Sequence, residues 1–327
     1  MATRGFMFSP FNFQAPLAAG GVTLMAFNWL QFAVPHGEGA VRLSDIQWSG
    51  LTLSQAGLYG LLVGMTLVLT LVNVLLTVIF SKDLVHWIAA GKGYPEFMAG
   101  PPSRTTGIFV PIASLAMTMA VVFAVAPFFI PAVSANMQSL MMPGLVFFGM
   151  LWLTMLGLEF RILARSLRNP PDPATLSFVW LLDVFAFGLV SLAGTGLAAM
   201  AAQQGIATAA ALTSGLALGV GTLLLVGKLA ILILAQVRSR TLPEYQVQPA
   251  FFLVVPITCL YGVSYFRLML FGQKWFELEV NAPSQFLISL TYVIAIGWAL
   301  GTVYLLRDYF KNYFRASEYF PTQWAMV

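Results

Sequence analysis

Four ionisable side chains lie inside long apolar runs of this 327-residue chain, Glu159, Asp183, Lys228 and Arg267, and any chemistry at membrane depth would have to rest on them. A charge there costs roughly 2.5–3.5 kcal/mol on insertion scales, so each needs a partner, water or an interface to reach towards. Glu159 and Arg267 fall near the ends of their runs, and both are expected to snorkel outwards. Asp183 and Lys228 lie deeper. Three readings of Asp183 stand side by side: an ion pair with Lys228, a carboxyl held neutral by a proton, or a proton-coupled role in a pathway. Lys228 must turn inward or meet a neighbouring subunit, because lipid does not solvate an ammonium.

Other chemistries have little to work with. The two histidines, His36 and His86, both fall in loops, so the spans offer no paired haem ligands. Cys259 is the single cysteine, which excludes an intrachain disulfide and any cysteine-based metal or iron–sulfur site, and it reads as a small buried hydrophobe. No Ser–His–Asp set and no pair of carboxylates at membrane depth can be read from the spacing. The expectation is therefore no catalytic residue, no metal ligand and no cofactor, and the chain is not read as an enzyme.

The elements that must hold these residues are membrane helices. Hydrophobic residues make up 59% of the chain and charged residues 9%, against roughly 25% charged in an average soluble domain. The excess of basic over acidic groups, 16 against 12, is spread over loops and argues against a nucleic-acid partner. Continuous runs such as Leu61 to Phe80 and Leu223 to Ala235 suit helices and not the alternating strands of a barrel. Eight spans follow, at about 13–36, 52–80, 106–131, 140–165, 174–201, 206–236, 249–272 and 284–310, within one transmembrane domain covering 1–327. The longest polar stretch, Ser81 to Thr106, is too short for a further domain. With Arg4 the only early basic residue and no small-residue cleavage site after the first run, no cleavable signal is expected.

Basic residues set the orientation. Lys82, Lys92 and Arg104, Arg165 and Arg168, Arg238 and Arg240, and Lys311 and Arg315 follow the even-numbered spans, while only Arg42 and Lys274 precede them. The positive-inside rule then puts both chain ends in the cytoplasm, in an inner cytoplasmic membrane. Trp29, Trp275 and Tyr261 sit where an aromatic belt is expected. Gly20, Gly21, Gly188, Gly194, Gly196, Gly262, Gly297 and Gly301 read as positions where helices pack closely.

A repeat runs through the odd-numbered spans. Each opens with a proline, and most carry a second proline or an aromatic turn: Pro10 to Pro16, Pro102 to Pro111, Pro173 to Trp180 and Pro249 to Pro256. The unit is a helical hairpin repeated in one orientation. Its period places a fifth opening near residue 320, where the chain reads Tyr319-Phe-Pro321 and stops at Val327, so either the sequence continues beyond or it ends in a half turn. Proline within a membrane helix frees a carbonyl and bends the helix. The expected fold is all-α: proline-kinked odd-numbered helices in an inner ring around a pore, with even-numbered helices outside. Phe13, Phe109, Phe185 and Phe252, at similar heights on the odd helices, read either as a hydrophobic constriction or as ordinary packing. The pore-lining set is Phe13, Pro16, Phe109, Pro111, Asp183, Phe185, Phe252 and Pro256, with Asp183 and Lys228 as buried charge partners.

Phe13-Gln-Ala-Pro16, Pro101-Pro-Ser-Arg104 through Pro111, and Leu242-Pro-Glu-Tyr-Gln-Val-Gln-Pro249 through Pro256 resemble openings of the tellurite-resistance/dicarboxylate transporter family, which includes the slow anion channels of plant guard cells. The resemblance implies a homotrimer, each protomer holding five hairpins around its own pore, and small anions as substrates. In that family a phenylalanine of the ninth helix obstructs the pore, and no position of this sequence matches it. The expected function is a passive channel or facilitated transporter for small anions (chloride, nitrate, sulfite, tellurite or a dicarboxylate), with proton coupling left open. The rival readings are a cofactor-free membrane anchor of a quinol oxidoreductase, in which Asp183 and Lys228 would mark a quinone pocket, and a structural subunit of a larger membrane assembly.

Overall fold

The computed structural model describes residues 8–326 apart from 38, 92, 171, 173, 174 and 315–319. Expectations placed on Arg4, Lys92, Pro173, Arg315, Tyr319 and Val327 lie outside the described residues. Eight long helices carry the fold: α1 (Gln14–Ala33), α2 (Leu53–Ala89), α3 (Phe109–Phe129), α4 (Met141–Arg168), α5 (Leu182–Met200), α6 (Gln204–Ser239), α7 (Val254–Phe276) and α8 (Asn281–Leu305). No strand occurs among the described residues.

Seven of these helices, α2 to α8, are long and apolar enough to cross a membrane. The exception, α1, has 20 residues, but Gln14, Asn28 and Gln31 dilute its apolar run. The chain is thus a multi-pass all-α membrane protein. The polar stretch after the second run is largely helical: α2 continues to Ala89, and short helices follow at Tyr94–Met98 and Pro102–Thr105. Arg165, near the end of α4, donates to the carbonyls of Met98 and Ala99 and ties this stretch to the bundle.

Prolines mark where helices begin. Pro16, Pro111, Pro143, Pro256 and Pro283 are each the third residue of a long helix, in odd and even helices alike. An N–H at that position has no intrahelical acceptor to lose, so a proline there starts a helix and by itself requires no kink. Pro127 is the proline inside a helix, close to the end of α3. Four odd helices share a second feature, a 3-10 turn leading directly into the α-helix: Pro10–Phe13, Thr106–Ile108, Phe178–Leu181 and Gln248–Leu253. A similar turn, Met137–Leu140, precedes α4.

Burial separates the two sets of helices. The apolar windows of α3, α5 and α7 are 67%, 89% and 50% buried, whereas those of α2, α4, α6 and α8 are only 11–28% buried. Packing runs from α1 to α3, from α3 to α5 and from α5 to α7, with α2 against α1, α6 against α5 and α8 against α7. The fourth helix lies more against α5 than against its own hairpin partner α3. Leu61 and Leu75 of α2, Leu223 of α6 and Val293 of α8 are among the exposed apolar side chains that lipid must cover.

Three sequence expectations are corrected at this level. Cys259 is exposed on α7 and is not a buried hydrophobe. Tyr261 lies inside the bundle and not in an interfacial belt. Its hydroxyl donates to the Val184 carbonyl at 3.0 Å, and it fits because Gly188 and Gly221 leave its ring a slot: a Cβ on Gly221 would stand 2.0 Å from Tyr261 Oη. Gly297 and Gly301 have open space where a side chain would go, so they are not close-packing positions in this chain.

Candidate functional site

A cavity of about 420 Å³ opens where the N-terminal parts of α1, α3, α5 and α7 meet. Gln14 and Leu17 face it from α1, Val110 and Met117 from α3, Phe185 and Leu189 from α5, and Pro256 and Leu260 from α7. The 3-10 turns contribute Phe11, Val179 and Ala250. Its deepest lining residues, Gly21, Met117, Leu189 and Leu260, lie seven to nine residues into their helices, a depth of about 12 Å at the rise of an α-helix. Beyond that level the interior is filled: Val121, Val125 and Leu197 are buried, and the rings of Phe27 and Phe128 meet edge to face at 5.9 Å.

The polar groups of the cavity gather at its shallow end, as Gln14, Ser103, Arg104, Gln246 and Thr322. Arg104 is the one ionisable residue among the described residues that line it. Residues near 320, where a fifth opening is expected from the repeat, form a 3-10 helix at Pro321–Met326. This helix rests on the Gln248–Leu253 turn and on α1, and Thr322 donates to the Gln246 carbonyl, so Phe320, Thr322 and Trp324 complete one side of the cavity mouth.

Behind the α5 wall lies a cluster of buried charges. Asp183, the second residue of α5, is fully buried, and its Oδ2 accepts from Lys228 Nζ of α6. Its other oxygen, Oδ1, accepts from the Val184 N–H at 2.7 Å. The same ammonium donates to the Trp180 carbonyl at 3.2 Å and lies 4.6 Å from the centre of the Trp180 ring. The pair thus takes up a backbone donor and a backbone acceptor at the point where the 3-10 turn passes into the α-helix. Lys228 turns inward, which resolves the choice between the bundle interior and a neighbouring subunit.

Glu159 joins this cluster, a correction to the expectation that it snorkels. Its side chain is 5% exposed and interacts with both Asp183 and Lys228. The spacing along the chain hid this pair of carboxylates because α4 leans onto α5, carrying Glu159 to a helix that is not its hairpin partner. Arg267 does not reach for the interface either: its Nη1 donates to the Leu192 carbonyl of α5 at 3.2 Å.

Comparable straps occur at other helix starts. Asn73 of α2 donates to the Pro16 carbonyl at 2.7 Å, and Trp298 of α8 donates to the Phe251 carbonyl at 2.9 Å. In three hairpins, therefore, the second helix sends one polar side chain to a carbonyl at the start of the first, through Asn73, Lys228 and Trp298.

The expected pore-lining residues divide. Phe185 and Pro256 border the cavity. Phe13 is fully buried 5.9 Å from the Phe80 ring, Phe109 and Pro111 are buried within the bundle, and Pro16 carries the carbonyl held by Asn73. Phe252 packs 6.1 Å from Phe310 on the far side of its turn, and Asp183 is held by Lys228 away from the cavity. None of these six is among the residues that line the cavity. Spacing places a residue on a helix but leaves the helix's rotation open, which is why Gln14 and Gln246 were not singled out. The cue for them was a glutamine two or three residues before a proline in each opening, Gln14 before Pro16 and Gln246 before Pro249.

No protein-family model, curated protein or solved structure matches this chain.

Proposed function

We propose that this protein is a channel or facilitator for small anions, with the odd-numbered helices as an inner ring around the route and the even-numbered helices between that ring and lipid. The observation that carries the reading is the cavity between the N-terminal parts of four helices, where the cation Arg104 is the one ionisable residue among the described residues of the lining. Each helix N-terminus presents a partial positive charge of about half a unit, so four of them around one space favour an anion. Asp183, the acid on these inner helices, would repel that anion, but its charge is turned away and matched by Lys228. Apolar walls such as Leu17, Leu189 and Leu260 would hold a poorly hydrated anion and reject a strongly hydrated one.

In this reading the conformation is a closed one, and conduction requires the packed C-terminal halves of α1, α3 and α5 to part. By the positive-inside rule the Arg104 end of the cavity would face the cytoplasm, and the resemblance of the helix openings to the tellurite-resistance/dicarboxylate transporters adds the expectation of a trimer. The test is flux of chloride and nitrate into liposomes. Arg104→Gln should slow entry roughly tenfold at low salt and much less at high salt. Uptake of potassium as fast as that of nitrate would refute an anion-selective route.

A further inference from the structure

We infer that Arg267 of α7 is an anion-binding residue, placed beyond the cavity on the side away from Arg104, with a small, poorly hydrated anion such as nitrate as its ligand. The site rests on the anion reading above and adds a second cationic station to that route. A guanidinium has five N–H donors. Among the described residues, that of Arg267 makes one hydrogen bond, from Nη1 to the Leu192 carbonyl at 3.2 Å, and no ion pair. Leu192 lies eight residues before the end of α5, where a carbonyl already accepts from the N–H four residues on, and the Thr195 hydroxyl donates to it as well. That carbonyl does not need the arginine, so helix capping does not account for the charge. Lys274, one heptad further along α7, is different: it donates to the Ala201 carbonyl at the end of α5 at 3.3 Å, where a cation complements the helix dipole.

The chain supplies no counter-charge. α1, α3, α6, α7 and α8 contain no carboxylate. Asp183 lies nine residues before Leu192 on α5 and is taken by Lys228, while Glu159, Glu277 and Glu279 form no ion pair with Arg267. Nor are the free donors sealed off: Arg267 is half-buried, and none of its nitrogens is among the enclosed polar atoms left without a partner. A charge without a counter-charge, nine residues or about 13 Å before the end of α7, marks an ion path or a water-filled space. Periodicity puts it in line with the cavity. Pro256, Leu260 and Arg267 share one face of α7, at steps of four and seven residues, and Phe185, Leu189, Leu192 and Gly196 share one face of α5, at steps of three and four. Gly196 leaves the guanidinium its room, since a Cβ there would stand 3.4 Å from Nη1. On α1 the seven-residue step that joins the lining residues Gln14 and Gly21 leads next to Asn28, which is exposed. Asn28, Gly196 and Arg267 stand 13 or 14 residues beyond the starts of their helices, about 20 Å against about 12 Å for the cavity floor. An anion that passes the closed segment meets Arg267 next.

Nitrogen-15 NMR of the arginine side chains in the full-length protein, titrated with sodium nitrate at constant ionic strength, provides the test. The Nε–H signal missing from Arg267→Lys identifies the residue. In the wild type that signal should move saturably with nitrate, both in maltoside micelles and in phospholipid nanodiscs, and it should still do so in Arg104→Gln. In liposomes Arg267→Gln should raise the nitrate concentration at half-maximal flux about tenfold, the loss of one charge-assisted contact, while Arg267→Lys, which keeps the charge, should retain most of the affinity. A signal indifferent to nitrate overturns the site. So does one that moves in micelles alone, because lipid phosphate then holds the guanidinium in the bilayer. Saturable binding at Arg267 in a protein that passes no anion would keep the site and refute the route, whereas anion flux past an indifferent Arg267 would keep the route and refute the site.

Discussion

Lys228 of α6 and Asp183 of α5, 45 residues apart in sequence, meet as an enclosed ion pair at the first turn of α5. Of the long helices entered directly from a 3-10 turn, α5 is the one whose third residue is not proline. There the junction is held by side chains, with Asp183 accepting from Val184 N–H and Lys228 capping the Trp180 carbonyl.

Breaking that pair from one side leaves a bare charge in the interior. Lys228→Met is expected to destabilise the protein by about 3–5 kcal/mol. The double change Asp183→Asn with Lys228→Met should recover much of that loss, because it removes both charges. Thermal unfolding of the detergent-solubilised variants measures both. Equal losses for the single and double variants would show that the pair has no energetic coupling.

Asn73 and Trp298 act as neutral versions of the same strap. Asn73→Leu and Trp298→Phe should each cost about 1 kcal/mol, the scale of an interhelical hydrogen bond within a membrane. The expected signature is a modest fall in melting temperature without loss of fold. No change in either variant would mean that those carbonyls need no second partner.

Tyr261 depends on the absence of a side chain at Gly221. Gly221→Ala forces the tyrosine hydroxyl away from the Val184 carbonyl and should cost about 1–3 kcal/mol through overpacking. Adding Tyr261→Phe to Gly221→Ala should relieve part of the strain, which thermal unfolding of the single and double variants would reveal as a non-additive effect.

Much of the architecture was legible in the residues because apolar runs such as Leu61 to Phe80 are too long for anything but a spanning helix. The helix starts near Pro16, Pro111 and Pro256 were legible too. Their consequence was less so, because whether a proline bends a helix depends on its distance from the first turn, and the 3-10 lead-ins that set this distance have no sharp sequence signal. Facing was the other blind spot. Asp183 and Lys228 were paired on depth alone. Glu159 and Tyr261 were assigned to interfaces because a helix's rotation and lean are decided by its neighbours, here the tilt of α4 onto α5 and the slot between Gly188 and Gly221. Phe185 could be told from Phe13 and Phe252 only once each ring's neighbours were in view.

Under the proposed function, anions cross through the space between α1, α3, α5 and α7. Cys259, the single native cysteine and an exposed one, can be replaced by serine to give a background for Leu189→Cys on the cavity wall and Val293→Cys on the outer face of α8. Liposome anion flux is then recorded before and after treatment with a charged, water-soluble thiol reagent. Modification at Leu189→Cys should abolish flux and be slowed by a permeant anion, while Val293→Cys should be indifferent. Flux that survives full modification at Leu189→Cys would contradict a route through this cavity.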